Sequence, residues 1–127
     1  MIQDIGNKIT NDYDKHNWID QNNVVFGYED KQHCCEYWGW GVFDPQTGKK
    51  VAEDPAGLPY HFDFEAGADE CPLRIYTDED TTDEVQVTLV HDRDPKKKLI
   101  FECFNCHNGY YYHDFSFEKL KKEKENN

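Results

Sequence analysis

The sequence predicts a mainly β fold: a small antiparallel twisted sheet or sandwich of about six or seven strands with little helix. Three observations support this prediction. Aromatic residues form 15% of the chain, and large rings favour pleated, half-buried surfaces. The chain has a single Met and few Ala, so it lacks the composition that is typical of long helices. Short β-prone runs also recur between turn residues along the chain.

The chain is long enough for one domain. Its 127 residues fall in the usual size range of a single folded unit. We expect one β-rich domain over residues 1–117 and a charged tail over residues 118–127. Residues 1–23 form a polar N-terminal segment, where Ile5 begins a row of apolar residues spaced like one helical face. Gly6 weakens that helix assignment.

Two strands are expected in the first third of the chain. Residues 24–28 are a β-prone run that ends at charged residues, as a strand followed by a turn does. Residues 33–43 are dense in aromatic side chains, and Gly39 and Gly41 within them permit a bulge or a close backbone approach.

The middle of the chain lacks a regular period. A turn is expected at residues 44–48, where proline fixes φ and glycine supplies a positive φ. We predict that residues 44–72 form a long irregular insertion, in which only the alternating rings of residues 60–64 suggest a short strand.

The second half alternates more clearly between apolar and polar residues. Strands are expected at residues 73–77, 85–90, 99–106 and 110–117. Asn108-Gly109 lies between two aromatic runs, which is the strongest local signal for a β-hairpin. We therefore predict that residues 99–104 pair with residues 111–117, with Phe104 opposite His113.

The charge balance restricts the classes of partner. The chain has 26 acidic and 14 basic residues and a net charge of −12. This charge repels nucleic-acid phosphates and anionic membranes, so we expect neither as a direct partner. A protein partner with a basic surface suits it, although acidity can also simply keep a small protein soluble. Without a membrane-spanning run or a signal-peptide pattern, the expected location is cytoplasmic.

Five cysteines raise the question of a metal site. An odd number argues against a disulfide framework. Cys103 and Cys106 have the spacing of a zinc knuckle, and the vicinal pair Cys34 and Cys35 adds two thiols. Residues one or three positions apart on a strand, however, face opposite sides. We predict no metal at Cys103 and Cys106, at least one of these sulfurs in the core, and no cofactor.

Catalysis is the alternative from another class. A thiol-dependent or zinc enzyme would use Cys35 and His107 as nucleophile and base, or as metal ligands. The acidic run 78–84 has alternating carboxylates but lacks the glycine and the final glutamate of a calcium loop, so we interpret it as a solvated turn. We assign no catalytic residue and favour binding over catalysis.

Two separated segments carry a family resemblance. Residues 32–36 read Gln-His-Cys-Cys-Glu, and residues 107–111 read His-Asn-Gly-Tyr-Tyr. Together they resemble an uncharacterised family of small bacterial and bacteriophage proteins, which has a Gln-x-Cys-Cys-Glu segment and a late Ser-Asn-Gly-Tyr-Tyr hairpin. His107 stands where that family usually has Ser. The resemblance covers roughly residues 24–40 and 85–117, and it implies a phage or mobile-element setting without an established activity.

Aromatic side chains and the motif segments define the candidate binding residues. Tyr and Trp dominate protein interfaces when they are exposed, although a second layer of structure can also cover them. The candidates are Glu36, Tyr37, Trp38, Trp40, Asn108, Tyr110 and Tyr111. Because the two motifs are expected to share a site, we predict that Cys34 or Cys35 is buried and that Glu36 accepts hydrogen bonds from the late hairpin.

The resulting hypothesis is a binding function. We expect a phage or mobile-element accessory protein, an acidic inhibitor of a host defence or nucleic-acid-handling protein. One alternative within the binding class is a sponge for a nucleotide signal. That role requires an aromatic pocket with a cation, which Arg74, Arg93 or the lysines at 96–98 would supply. The sequence leaves the oligomeric state open.

Overall fold

Ten β-strands form the secondary structure of the part of the chain that the computed structural model describes, residues 1–7, 15–30, 37–75, 81–107 and 113–120. The strands are β1 (Gln3–Gly6), β2 (Lys15–Ile19), β3 (Val24–Glu29), β4 (Tyr37–Phe43), β5 (Lys50–Ala52), β6 (Tyr60–Phe62), β7 (Ala68–Ile75), β8 (Thr81–His91), β9 (Lys98–His107) and β10 (Phe115–Lys119). These ranges contain no helix, and therefore none that could cross a bilayer. The mainly β prediction is confirmed, with ten strands instead of six or seven.

The strands form two antiparallel sheets. The smaller has the order β1-β2-β3-β10, and the larger has the order β5-β4-β9-β8-β6. Strand β7 also pairs with β8, beside the end that β6 occupies. Strand β8 is 11 residues long, so two short strands can pair with it in succession along one edge.

Side-chain alternation explains how the two sheets share one core. Along β8, Val85, Val87 and Leu89 are buried, and the residues between them are half-buried on the other face. Phe101 of β9 lies 4.9 Å from Trp18 and 5.6 Å from Phe26, measured between ring centres. Since Trp18 and Phe26 belong to the smaller sheet, the inner faces of both sheets pack together as a sandwich.

The predicted hairpin between the last two strands is wrong. Strand β9 pairs with β4 and β8, whereas β10 pairs with β3 in the other sheet. Phe104 lies opposite Gly39 and Glu84 instead of His113. Both edges of β9 are occupied, so the chain leaves the larger sheet after it. The residues of the expected turn, 108–112, lie outside the described part.

Residues 44–72, which were expected to form a long irregular insertion, contain β5, β6 and the start of β7. Strand β6 confirms the short strand expected within residues 60–64, whereas β5 and the part of β7 before residue 73 were not predicted. These strands are short and lie at sheet edges, where a clear period cannot develop. The pairing of β7 with β8 shifts register between Cys71 and Arg74, around Pro72. Proline has no N–H to donate, which confines it to edges and bulges.

The N-terminal segment contributes strands. Ile5 lies in β1 and Trp18 in β2, so the helix-like spacing that begins at Ile5 does not produce a helix there. Residues 8–14 lie outside the described part. Ile2 and Trp18 are fully buried, which shows that this polar segment still supplies part of the core.

Candidate functional site

The outer face of the larger sheet presents an exposed aromatic residue of the predicted set, Tyr37. Alternation along β4 directs Tyr37 and Phe43 outward and Val42 inward. The Tyr37 side chain is 70% exposed. Its ring centre lies 5.9 Å from that of Phe104 on β9, which faces the same way. The two rings therefore form an aromatic patch open to solvent.

Two glycines of β4 allow these rings to lie close to the strand. A Cβ at Gly39 would stand 3.2 Å from the Phe104 ring. A Cβ at Gly41 would stand 3.1 Å from the Phe43 ring. Larger residues at either position would push the rings away from the sheet, so the glycines keep the outer face flat.

A shallow depression of about 400 Å³ lies on the same face, beside the patch. We call it the outer-face depression. Its apolar side chains are Phe43 and Ile100, and its carboxylates belong to Asp44 and Glu102. The amide of Gln86 donates a 3.3 Å hydrogen bond to Glu102. No Lys or Arg of the described residues lines the depression, and its two charged side chains, those of Asp44 and Glu102, are both acidic.

The structure separates the predicted binding residues. Trp38 and Trp40 lie on the inner side of β4, packed against the core. Trp40 makes an edge-on contact of 4.9 Å with Trp18, and Trp38 lies 5.4 Å from the ring of His113. The smaller sheet therefore covers these two rings. Of the three aromatic candidates that lie within the described residues, Tyr37 alone is largely exposed.

The remaining candidates lie outside the described residues. They are Glu36, Asn108, Tyr110 and Tyr111. The expected burial of Cys34 or Cys35 and the expected partners of Glu36 fall in the same undescribed segments and stay predictions.

The two thiols of the zinc-like spacing lie on opposite faces of β9. Cys103 is fully buried, which confirms that at least one sulfur lies in the core. Cys106 faces outward and is half-buried. The ladders on both sides of β9 run through the two residues without a bulge, so the sulfurs diverge. Burial raises the pKa of the Cys103 thiol well above its ordinary value, and the nearby Glu102 charge raises it further.

The described residues contain no cluster of three or more His, Cys, Asp or Glu side chains suited to a metal ion. The Cys103 thiol is interior, and burial raises its pKa and so disfavours the thiolate. Because the thiolate is the reactive species, this position is unsuited to nucleophilic chemistry. Cys35, which the enzyme hypothesis requires, lies outside the described part.

A second concave feature lies at the end of the sandwich where β8 turns into β9. Its volume is about 450 Å³, and we call it the lysine cleft. Its lining includes the lysines at 96–98, the ring of Tyr60, and Asp44 and Gln46 from the β4–β5 turn. The sequence identifies the lysines as possible cation suppliers. It contains no signal that connects Tyr60 with them, because Tyr60 belongs to the segment predicted to be irregular.

Comparison with protein-family models, with curated proteins and with solved structures finds no match to this chain. The resemblance to a bacterial and bacteriophage family therefore stays a prediction.

Proposed function

We propose that this chain acts by binding, and that it holds a basic segment of a partner protein on the outer face of its larger sheet. The observation that carries the proposal is the outer-face depression, where carboxylates border apolar side chains. The exposed Tyr37 patch extends the same surface.

An arginine or lysine side chain of the partner fits this surface chemically. Its aliphatic stem would lie against Phe43 and Ile100, while its charged end would approach Glu102. A second cation would contact the faces of the Tyr37 and Phe104 rings, which attract positive charge. The combination favours a basic protein over an acidic or purely apolar one.

The wider setting we propose is that of a phage or mobile-element accessory protein in the cytoplasm. Its partner would be a host defence or nucleic-acid-handling protein. Proteins that bind nucleic acid direct Lys and Arg toward its phosphates. An acidic surface can therefore compete with the nucleic acid for the same side chains. The net charge of −12 and the family resemblance support this setting.

Capture from bacterial lysate tests the proposal when it is combined with matched variants. The outer-face variant is Tyr37→Ala with Glu102→Gln. The control, Phe64→Ala with Glu65→Gln, removes one aromatic ring and one charge from an exposed loop elsewhere. We expect a basic protein to be retained by the native chain and the control and lost with the outer-face variant. Equal retention by both variants would refute this binding surface.

A further inference from the structure

The lysine cleft is a second candidate binding site, which adjoins the outer-face depression and shares Asp44 and Pro45 with it. We propose that this cleft binds a nucleoside monophosphate, with the phosphate on the lysines at 96–98 and the nucleoside against Tyr60. The proposal rests on the cleft's charge, the fixed backbone beneath the lysines, its aromatic wall and its volume.

The charge of the cleft is the reverse of that of the whole chain. Three lysines and one acidic residue, Asp44, line the space, and the charge of Asp94 also reaches Tyr60 at its wall. None of the three lysines forms an ion pair with a carboxylate of the described residues. In a chain of 26 acidic residues, three adjacent unpaired cations make a local positive site that a phosphate would neutralise.

Hydrogen bonds fix the backbone that carries the lysines. The carboxylate of Asp94 accepts a 3.1 Å hydrogen bond from the Lys96 N–H, and its carbonyl accepts one of 2.9 Å from the Lys97 N–H. The carbonyl of Lys97 in turn accepts a 3.0 Å bond from the His91 N–H. The three lysines therefore extend from a turn whose backbone is defined, so only their side chains need to be ordered when an anion binds.

Tyr60 provides the aromatic wall. Its ring makes an edge-on contact of 5.0 Å with His91, which holds it at the side of the cleft. Burial raises the pKa of the Tyr60 hydroxyl, and the charges of Asp44 and Asp94 raise it further. The hydroxyl thus stays protonated at neutral pH and can donate a hydrogen bond. Leu99 and Pro45 add apolar surface beside the ring.

Size and polarity narrow the ligand class. A volume of about 450 Å³ lies within the range of small-molecule pockets. The acidic surface around the cleft repels a nucleic-acid strand, which carries a charge at every nucleotide, whereas a single phosphate group fits the lysines alone. Asp44 and Gln46 can accept hydrogen bonds from sugar hydroxyls or a base amino group. These features together match a nucleoside monophosphate.

Calorimetric titration of the full chain tests the proposal with four probes: AMP, ribose 5-phosphate, adenosine and inorganic phosphate. We expect AMP to bind at least about tenfold more tightly than any of the other three, because it alone uses both the lysines and the ring. Equal affinity for AMP and inorganic phosphate would reduce the cleft to a general anion site and overturn the proposal. An absence of AMP binding would also overturn it.

Variants of exposed residues locate the binding. Lys96→Ala/Lys97→Ala/Lys98→Ala should weaken AMP binding by about tenfold or more, since each lost charge-assisted bond costs affinity. The control Lys49→Ala/Lys50→Ala/Lys119→Ala removes the same charge outside the cleft and should change the affinity less than about twofold. Equal losses in the two triple variants would show that only net charge matters.

The contribution of the ring needs its own variants. Tyr60→Leu should remove the preference for AMP over ribose 5-phosphate, and Tyr60→Phe should keep it, because stacking needs the ring and not the hydroxyl. If Tyr60→Leu keeps the preference, the nucleoside does not lie against Tyr60 and the proposed arrangement is wrong.

Discussion

A single buried carboxylate connects the two sheets. Asp20 is 4% exposed, and its Oδ1 accepts hydrogen bonds from the backbone N–H groups of Asn22 and Val24 at 2.8 and 3.0 Å. Its Oδ2 accepts a third, at 2.8 Å, from the Phe62 N–H in the larger sheet. Because each oxygen faces a donor, the site requires two acceptors, which a carboxylate supplies and an amide does not.

Asp20→Asn should therefore destabilise the protein by about 1–3 kcal/mol, since the amide NH₂ would face the Phe62 N–H. Urea denaturation at neutral pH measures the change. The control Asp63→Asn keeps a single turn bond to the Ala66 N–H, because the remaining amide oxygen can accept it. If both variants lose the same free energy of unfolding, the Asp20 hydrogen bonds between the sheets contribute no more than those of an ordinary turn.

The two described thiols of β9 should differ in reactivity. Cys103 is fully buried with a raised pKa, and Cys106 is half-buried on the outer face. Alkylation proceeds through the thiolate, so brief iodoacetamide treatment of the native protein should label Cys106 and leave Cys103 unmodified. Peptide mapping by mass spectrometry reads out both sites, and denatured protein provides the control. Equal labelling of the two thiols before unfolding would contradict their assigned faces.

At this scale the sequence predicted some orientations and not others. Period-two alternation placed Cys103 and Cys106 on opposite faces and required one of Tyr37 and Trp38 to point outward. It did not decide which face of β4 is interior, because aromatic residues occur on both faces and the register is not fixed by pattern alone. The role of Asp20 could not be predicted either, since its partner Phe62 is distant in sequence.

Among the strands, β3 has a residue whose size is strictly limited. Gly27 lies between Asn17 of β2 and Ser116 of β10 in the smaller sheet. A Cβ at this position would stand 2.4 Å from the Asn17 Oδ1 and 3.0 Å from the Ser116 Oγ. Asn17 cannot move freely, because its amide donates hydrogen bonds to the carbonyls of Gly6 and Lys15.

We expect Gly27→Ala to destabilise the protein by about 1–3 kcal/mol through this overpacking. A double-mutant cycle identifies the cause, because the same substitution should cost clearly less in an Asn17→Ala background. Urea denaturation of the four proteins gives the coupling free energy. A cost that is unchanged by Asn17→Ala would show that the clash with Asn17 is not the source.

Strand β10 shows why local signals predict strands better than partners. The aromatic run that predicted a strand near residues 110–117 corresponds to β10 at Phe115–Lys119. The Asn-Gly turn signal suggested β9 as its neighbour, but the rings of Phe115 and Phe117 pack on Phe26 of β3 instead. Such a choice depends on which sheet edge is free, and one sequence does not contain that information.

At the scale of the whole molecule, Met1 forms an ion pair with Asp92 in the connection between β8 and β9. The α-amino group of Met1 lies 3.3 Å from the Asp92 carboxylate, which also accepts a 3.0 Å hydrogen bond from His61. Burial alone would raise the pKa of Asp92. The bonds and charges of His61 and the amino group outweigh this effect and lower the pKa below its ordinary value of 3.8.

A lowered folded-state pKa means that the ionised Asp92 stabilises the fold above its unfolded-state pKa. This contribution disappears as the pH falls through the folded-state value. Asp92→Asn should therefore lower the free energy of unfolding by about 1 kcal/mol at neutral pH. The difference from the native chain should shrink as the pH falls below 3.8 and vanish below the lower, folded-state pKa. Urea denaturation across this pH range measures it. A difference that persists in acid would indicate a packing effect of the substitution.

The excess of negative charge should set the association rate of a basic partner, and the outer-face depression should set its dissociation rate. Long-range attraction acts on association and is screened by salt, whereas close charge pairs act on dissociation. Surface plasmon resonance with an immobilised arginine-rich peptide separates the two rates. We expect the association rate constant to fall about tenfold between about 0.05 and 0.5 M NaCl. Glu102→Gln should accelerate dissociation, and Glu65→Gln, which removes the same charge from an exposed turn elsewhere, should not. If both variants dissociate alike, diffuse charge holds the peptide and the outer face is not its binding surface.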